Sequence, residues 1–182
     1  RKPWERRFWR MLPQYYVARR LARLSDGCLA NWDAAARWVR GQVDGTPVRM
    51  SPTFSNVGEP KSVPAYSERE PYAVCFGGAG RKEEMYRQHG KSLSHMLRQY
   101  GVERILDLGP RPKKKSCDGM AVPVDPKGIQ PGEEISSCLK RASLGLLNHP
   151  LHCLKKSGVW ASHAAHGLPT VLVAESHPIE GL

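Results

Sequence analysis

The chain has 182 residues, a formal net charge of +11 and a sequence pI of about 9.7. A hydrophobic share of 40% beside 25% charged residues is that of an ordinary globular protein and excludes wholesale disorder. No apolar run approaches the roughly 18 residues of a spanning helix, so the basic excess leaves three partners open: nucleic acid, an anionic membrane surface or a phosphorylated small molecule.

The first residue is Arg1, and the chain is expected to begin inside a longer or processed product. Its opening, "RKPWERRFWRMLPQYYVARRLARLSD", reads as a helix with Tyr16, Val17, Leu21 and Leu24 at helical spacing. Pro13 is expected to kink or divide it. Eight of the first 23 residues are Lys or Arg, against the single acid Glu5, and Trp4, Phe8 and Trp9 interleave with them. Such a helix either lies on an anionic membrane surface or packs on its own protein.

"GCLAN" (27–31) reads as a short strand, and "WDAAARWVRGQV" (32–43) as a helix with Asn31 or Asp33 placed to cap it. "VRMSPTFSN" (48–56) is extended, and the proline-rich "VGEPKSVPAYSEREP" (57–71) reads as a linker. Beyond it the pattern alternates. "YAVCFG" (72–77), "ERILDLG" (103–109), "MAVPV" (120–124), "LGLLNH" (144–149) and "PTVLVAE" (169–175) read as strands or extended pieces. Helices are expected over 81–101, 131–143 and the second half of 151–167, the middle one opening on Pro and acids. Continuous apolar strands alternating with helices predict an α/β fold, a Rossmann-like parallel sheet covered on both faces, with ligands at the carboxyl ends of its strands.

The five cysteines are scattered and form no Cys-x-x-Cys pair, which fits free thiols in a reducing cytosol. In "CFGGAGRKEEMY" (75–86), Gly77, Gly78 and Gly80 follow a strand and precede a helix. Glycines there let backbone N–H groups approach a phosphate, and Arg81 and Lys82 add full charges. The spacing is neither that of a P-loop nor of the dinucleotide fingerprint, and a plain turn is the alternative reading. "HPLHC" (149–153) and "HAAH" (163–166) each carry a His pair at i, i+3, and Cys153 makes zinc conceivable. Lys155 and Lys156 would repel a cation, and no metal is expected. "KKSG" (155–158) is a second possible anion site or a solvated helix start. "RPKKKS" (111–116) is a basic run read as a solvated loop; it lacks the aromatic residues that would stack bases, so nucleic acid is not the expected partner, and a basic nucleic-acid-binding protein is the alternative that the +11 charge keeps open.

The order of these parts resembles the C-terminal half of GT-B glycosyltransferases, the two-Rossmann-domain type, and most closely the bacterial sugar-nucleotide-dependent members. The resemblance rests on "ARRLARLSDGCLANWDAAARWVR", "VRMSPTFSNVGEP", "YAVCFGGAGRKEEMY", "LGLLNHPLHCLKKSG" and "GVWASHAAHGLPTVLVAES". It implies that residues 1–47 are a helical remnant ending an N-terminal Rossmann-like domain, that 48–71 are an interdomain strand and linker, and that 72–182 form a truncated donor-binding domain. It implies a nucleoside-diphosphate sugar as substrate, no bound cofactor or metal, and transfer to a hydroxyl of a glycan, polysaccharide or lipid-linked acceptor. Donor contacts are expected from Gly78, Gly80, Arg81, Lys82, His149, Lys156, Ser157, Gly158, Ser162 and His163, with no catalytic residue assigned. Where many relatives carry two glutamates eight residues apart, this chain has a position near Leu154 and Ser162, neither acidic. Either Lys156 and Ser157 take over part of the donor site or the chain belongs to a non-catalytic homologue. The fragment alone is not expected to turn over, and the expected location is cytoplasmic, with peripheral membrane association through the basic helix.

Overall fold

The computed structural model describes residues 6–173. The chain divides into two compact units, Arg1–Pro52 and Thr53–Leu182. In the first, helix α1 (Arg6–Leu24) is followed by strand β1 (Cys28–Ala30), helix α2 (Asp33–Arg40) and strand β2 (Val48–Met50). β1 and β2 pair in parallel, so this unit contains a strand–helix–strand crossover and is not merely helical. Tyr15 of α1 meets Trp38 of α2 edge to face, with ring centroids 5.3 Å apart. α1 runs unbroken through Pro13. The expected division does not occur: Pro13 takes one amide out of the ladder, and the helix continues on either side of it. The α2 N-cap is Trp32, whose side chain makes no cap bond, and Asp33 opens the first turn, where its charge suits the helix dipole.

The second unit is a five-stranded, all-parallel sheet flanked by helices. Its elements are β3 (Glu70–Phe76), α3 (Ala79–Gln99), β4 (Arg104–Leu108), β5 (Val124–Gly128), α4 (Gly132–Arg141), β6 (Ala142–Asn148), α5 (Gly158–Ala165) and β7 (Thr170–Val173). Short 3-10 turns cover Tyr66–Glu68, Lys114–Cys117 and Leu151–Lys156. The strand order β5-β4-β3-β6-β7 is Rossmann-like: the chain steps outward from β3 on one side, then returns to build the other half from β6.

Alternation along the strands explains the two faces. Ala73, Cys75, Ile105, Leu144 and Leu146 point to one side and meet Met85, Tyr86, Leu93 and Leu97 of α3. Tyr72, Val74, Leu106 and Leu108 point to the other and meet Ile135 and Leu139 of α4. The α3 stripe recurs at 82, 85, 86, 90, 93, 94 and 97, the three- and four-residue spacing of one helix face.

β5 falls later than the expected extended piece at 120–124. The amides of Ala121 and Val122 are taken by Ser94 Oγ on α3, at 2.9 and 3.4 Å, and so are withheld from the sheet. Ladder pairing begins only at Val124, and Pro126 is tolerated because β5 is an edge strand. Residues 53–69, most of them within the proline-rich stretch, open the second unit and run along it. Arg69 donates to the carbonyls of Leu139, Ala142, His166 and Gly167 at 2.9–3.2 Å, tying this strap to the carboxyl ends of α4 and α5. Among the described residues no helix is long and apolar enough to cross a membrane.

Candidate functional site

A parallel sheet offers its crevice where adjacent strands send their connections to opposite faces. Here that point lies between β3, which leads into α3, and β6, which leads toward α5. The carboxyl end of β3 runs through Gly77 (φ +139°) into Gly78, the N-cap of α3. A Cβ on neighbouring Gly109 (φ +100°) would stand 2.7 Å from the Gly77 carbonyl oxygen. Gly109 is therefore required for the two strand ends to close together. Gly78 and Gly80 are different: neither has a positive φ, and nothing lies within 4 Å of where their Cβ atoms would be. The fold does not demand glycine at either, and both leave open backbone at the start of a 21-residue helix.

Arg81 bridges the crevice. Its guanidinium donates to the Asn148 carbonyl at 3.4 Å, and Asn148 Nδ2 returns a bond to the Arg81 carbonyl at 3.0 Å. Asn148 Nδ2 also reaches Glu84 Oε2 at 3.4 Å. A cavity of about 70 Å³ opens here, lined among others by Gly78, Arg81, Lys82, Asn148, His149 and Ser157. Of the ten expected donor contacts, Gly78, Arg81, Lys82, His149 and Ser157 thus converge on one hollow. Its floor is Lys82, 3% exposed, whose ammonium donates to Asp107 Oδ1 and to the Leu108 carbonyl. Asp107, fully buried, also accepts from Tyr86 Oη at 2.7 Å. Burial raises the Asp107 pKa, and the bonds from Lys82 and Tyr86 pull it back only in part. Burial likewise pushes the Cys75 thiol up to about 12, which leaves it unreactive.

The remaining expected contacts lie elsewhere. Gly80 faces an adjoining groove instead. Ser157 lines the cavity but its hydroxyl is engaged as the N-cap of α5, accepting from the Trp160 amide at 3.2 Å. Lys156 is exposed, and Gly158 abuts Asn56 of the strap. Ser162 is fully buried, donating to Asn56 Oδ1 at 2.8 Å and the Gly158 carbonyl at 2.7 Å, and it meets Ser55 Oγ at 3.2 Å. It holds the strap rather than facing the crevice. His163 is fully buried, with Nδ1 3.1 Å from Thr170 Oγ1, and burial lowers its pKa to about 4. His166 sends its ring the other way, Nε2 to Ser136 Oγ and Nδ1 to the Ser162 carbonyl, both at 2.7 Å. The two histidines therefore serve packing and do not share a ligand; no group of three or more His, Cys, Asp or Glu is arranged for a metal among the described residues. Sequence reasoning missed Asn148 and Asp107. The acid inside the apolar run "ILDL" was a usable signal, because a buried carboxylate requires a partner.

On α1, Tyr16, Arg20 and Leu24 follow one another at i, i+4, so the basic and apolar side chains share a row. Tyr16 and Leu24 are 63% and 73% exposed. No protein-family model matches the chain, and no characterised protein matches it either.

Proposed function

We propose that this chain is the donor-binding part of a GT-B glycosyltransferase, which transfers a sugar from a nucleoside-diphosphate sugar to an acceptor hydroxyl. One observation carries the reading: Gly78, Arg81, Asn148 and His149 meet at the switch point of a parallel sheet, over the N-terminus of α3. In the transfer, the acceptor oxygen bonds to the anomeric carbon. The bond from that carbon to the diphosphate oxygen breaks, its electron pair stays with the diphosphate, and the hydroxyl proton leaves to base or solvent. Arg81 and the helix N-terminus supply positive potential where that negative charge grows. Lys82 assists through position, since its ammonium is spent on Asp107 and fixes the first turn of α3. The hollow of about 70 Å³ suits one anionic group and falls well short of the roughly 300–1,000 Å³ of a whole ligand pocket. The sugar and base therefore need further surface.

The second reading is a nucleotide-binding module without catalysis. Its support is Ser162: the position at which relatives are expected to hold the ribose is buried against Ser55 and Asn56. Calorimetric titration with UDP, GDP and their sugars tests both. Nucleotide binding that Arg81→Ala removes, with the circular dichroism spectrum unchanged, is the expected result. No heat with any nucleotide would sink both readings, and binding with no transfer by the intact gene product would select the second.

A further inference from the structure

The basic run 111–115 is the densest cluster of cations among the described residues of the second unit. Lys82 pairs with Asp107, Arg104 and Arg141 with Glu70, and Lys127 with Asp125. Arg111, Lys113, Lys114 and Lys115 are exposed, and among the described residues none of their side chains has a carboxylate partner. Four like charges within five exposed residues make a positive patch, screened by salt, to which an anion is attracted.

The loop that carries them is anchored. The Lys113 amide donates to Glu83 Oε1 at 3.0 Å, at the start of α3. Ser116 is buried, Ser94 Oγ accepts from the Ala121 amide, and Arg98 donates to the Ala121 carbonyl at 2.7 Å. Gly90 lets the helix approach the backbone of Gly119, where a Cβ would stand only 3.0 Å away. α3 thus fastens the loop at both ends, and the cations start from a fixed base. Between the loop and the first turns of α3 lies an open groove of about 290 Å³, lined by Gly80, Glu83, Arg87, Lys113, Lys115 and Ser116 among others. Glu84 lines it beside Glu83; Glu83 accepts from the Lys113 amide and Glu84 from Asn148 Nδ2, and against Arg87, Lys113 and Lys115 they leave the lining with one net positive charge. Gly80 lines this groove while the next residue, Arg81, lines the crevice cavity, so the two sites adjoin at the same end of the sheet.

We propose that this groove binds a phosphate-bearing group of the second substrate, so that the acceptor is itself anionic. Calling that substrate the acceptor rests on the glycosyl-transfer reading; the anion site does not. The test is calorimetric titration of the full chain with inorganic pyrophosphate, alone and with UDP saturating. Pyrophosphate is expected to bind with UDP present, and K113E/K115E to weaken it about tenfold or more while leaving UDP affinity unchanged. R81A is expected to do the reverse. Pyrophosphate that no longer binds once UDP is present, or that binds K113E/K115E as well as the parent, overturns the proposal. If UDP fails to bind, the nucleotide reading falls, and pyrophosphate with the two variants still decides the groove. Displacement of pyrophosphate by glucose 1-phosphate assigns a soluble source. Displacement by phosphatidylcholine vesicles carrying a polyprenyl phosphate, and not by plain vesicles, assigns a lipid-linked one. Displacement by a DNA duplex with a steep salt dependence, and by neither phosphate ester, overturns it in favour of nucleic acid.

Discussion

Asp107→Ala is expected to be among the most damaging single changes in the second unit. The carboxylate is fully buried and accepts from Lys82 and from Tyr86 Oη. Its removal leaves the Lys82 ammonium, 3% exposed, with the neutral Leu108 carbonyl at 3.0 Å. Breaking a buried pair from one side costs about 3–5 kcal/mol. With a urea slope of about 2 kcal/mol per molar, the unfolding midpoint followed by circular dichroism should fall by about 2 M. The intact pair is nevertheless not a net gain: burial raises the Asp107 pKa against the pull of Lys82. Folding therefore favours the protonated acid. The contribution of Asp107 to stability falls as pH rises from the ordinary value of 3.8 through the raised folded value, and is flat below 3.8. It follows that K82M/D107L/Y86F, which removes the charges and the orphaned hydroxyl together, should match or exceed the parent in stability. A loss below about 1 kcal/mol in Asp107→Ala, or a triple variant as weak as the single one, would refute the reasoning.

Gly109→Ala should destabilise by about 1–3 kcal/mol in the same urea assay, because its φ is +100° and its Cβ would meet the Gly77 carbonyl. Gly80→Ala should instead gain about 0.5–1 kcal/mol, since the site is open and helical; a destabilised Gly80→Ala would show that space to be filled. For His163, the folded pKa of about 4 lies below the ordinary 6.5, so the unfolded chain takes up its proton first and stability drains away as pH falls between those values. The loss should reach about 3 kcal/mol near pH 4, and His163→Leu should flatten that limb of a stability–pH curve. Ser157→Ala should cost about 1 kcal/mol by uncapping α5, read as a lower melting temperature.

The strands β3, β4 and β6 were legible because each is an apolar run buried on both faces, and α3 because its buried stripe has helical spacing. β5 was misplaced by a few residues, since Ser94, far away in sequence, decides which amides remain for the sheet. Lys82 is the instructive residue of the candidate site. Its charge reads as exposed, yet it lies three and four positions before Met85 and Tyr86, on the stripe that faces the sheet. Spacing gave the correct side and residue type did not. Ser162 and His163 were matched to a donor site by their place in the chain, but the strap at Ser55 and Asn56, more than 100 residues earlier, turns Ser162 into an anchor. No local pattern encodes such a partner.

Arg69 also sets a timetable. Two of its carbonyl acceptors belong to His166 and Gly167, the latter 98 residues downstream. At a synthesis rate of about 5–20 residues per second, the strap waits roughly 5–20 s before its far partner leaves the ribosome. For most of that interval the β3 strand it precedes has emerged while its eventual neighbour β6 does not yet exist. A newborn chain of this kind holds an open sheet edge through much of its own making, and its dependence on chaperones should be greatest then.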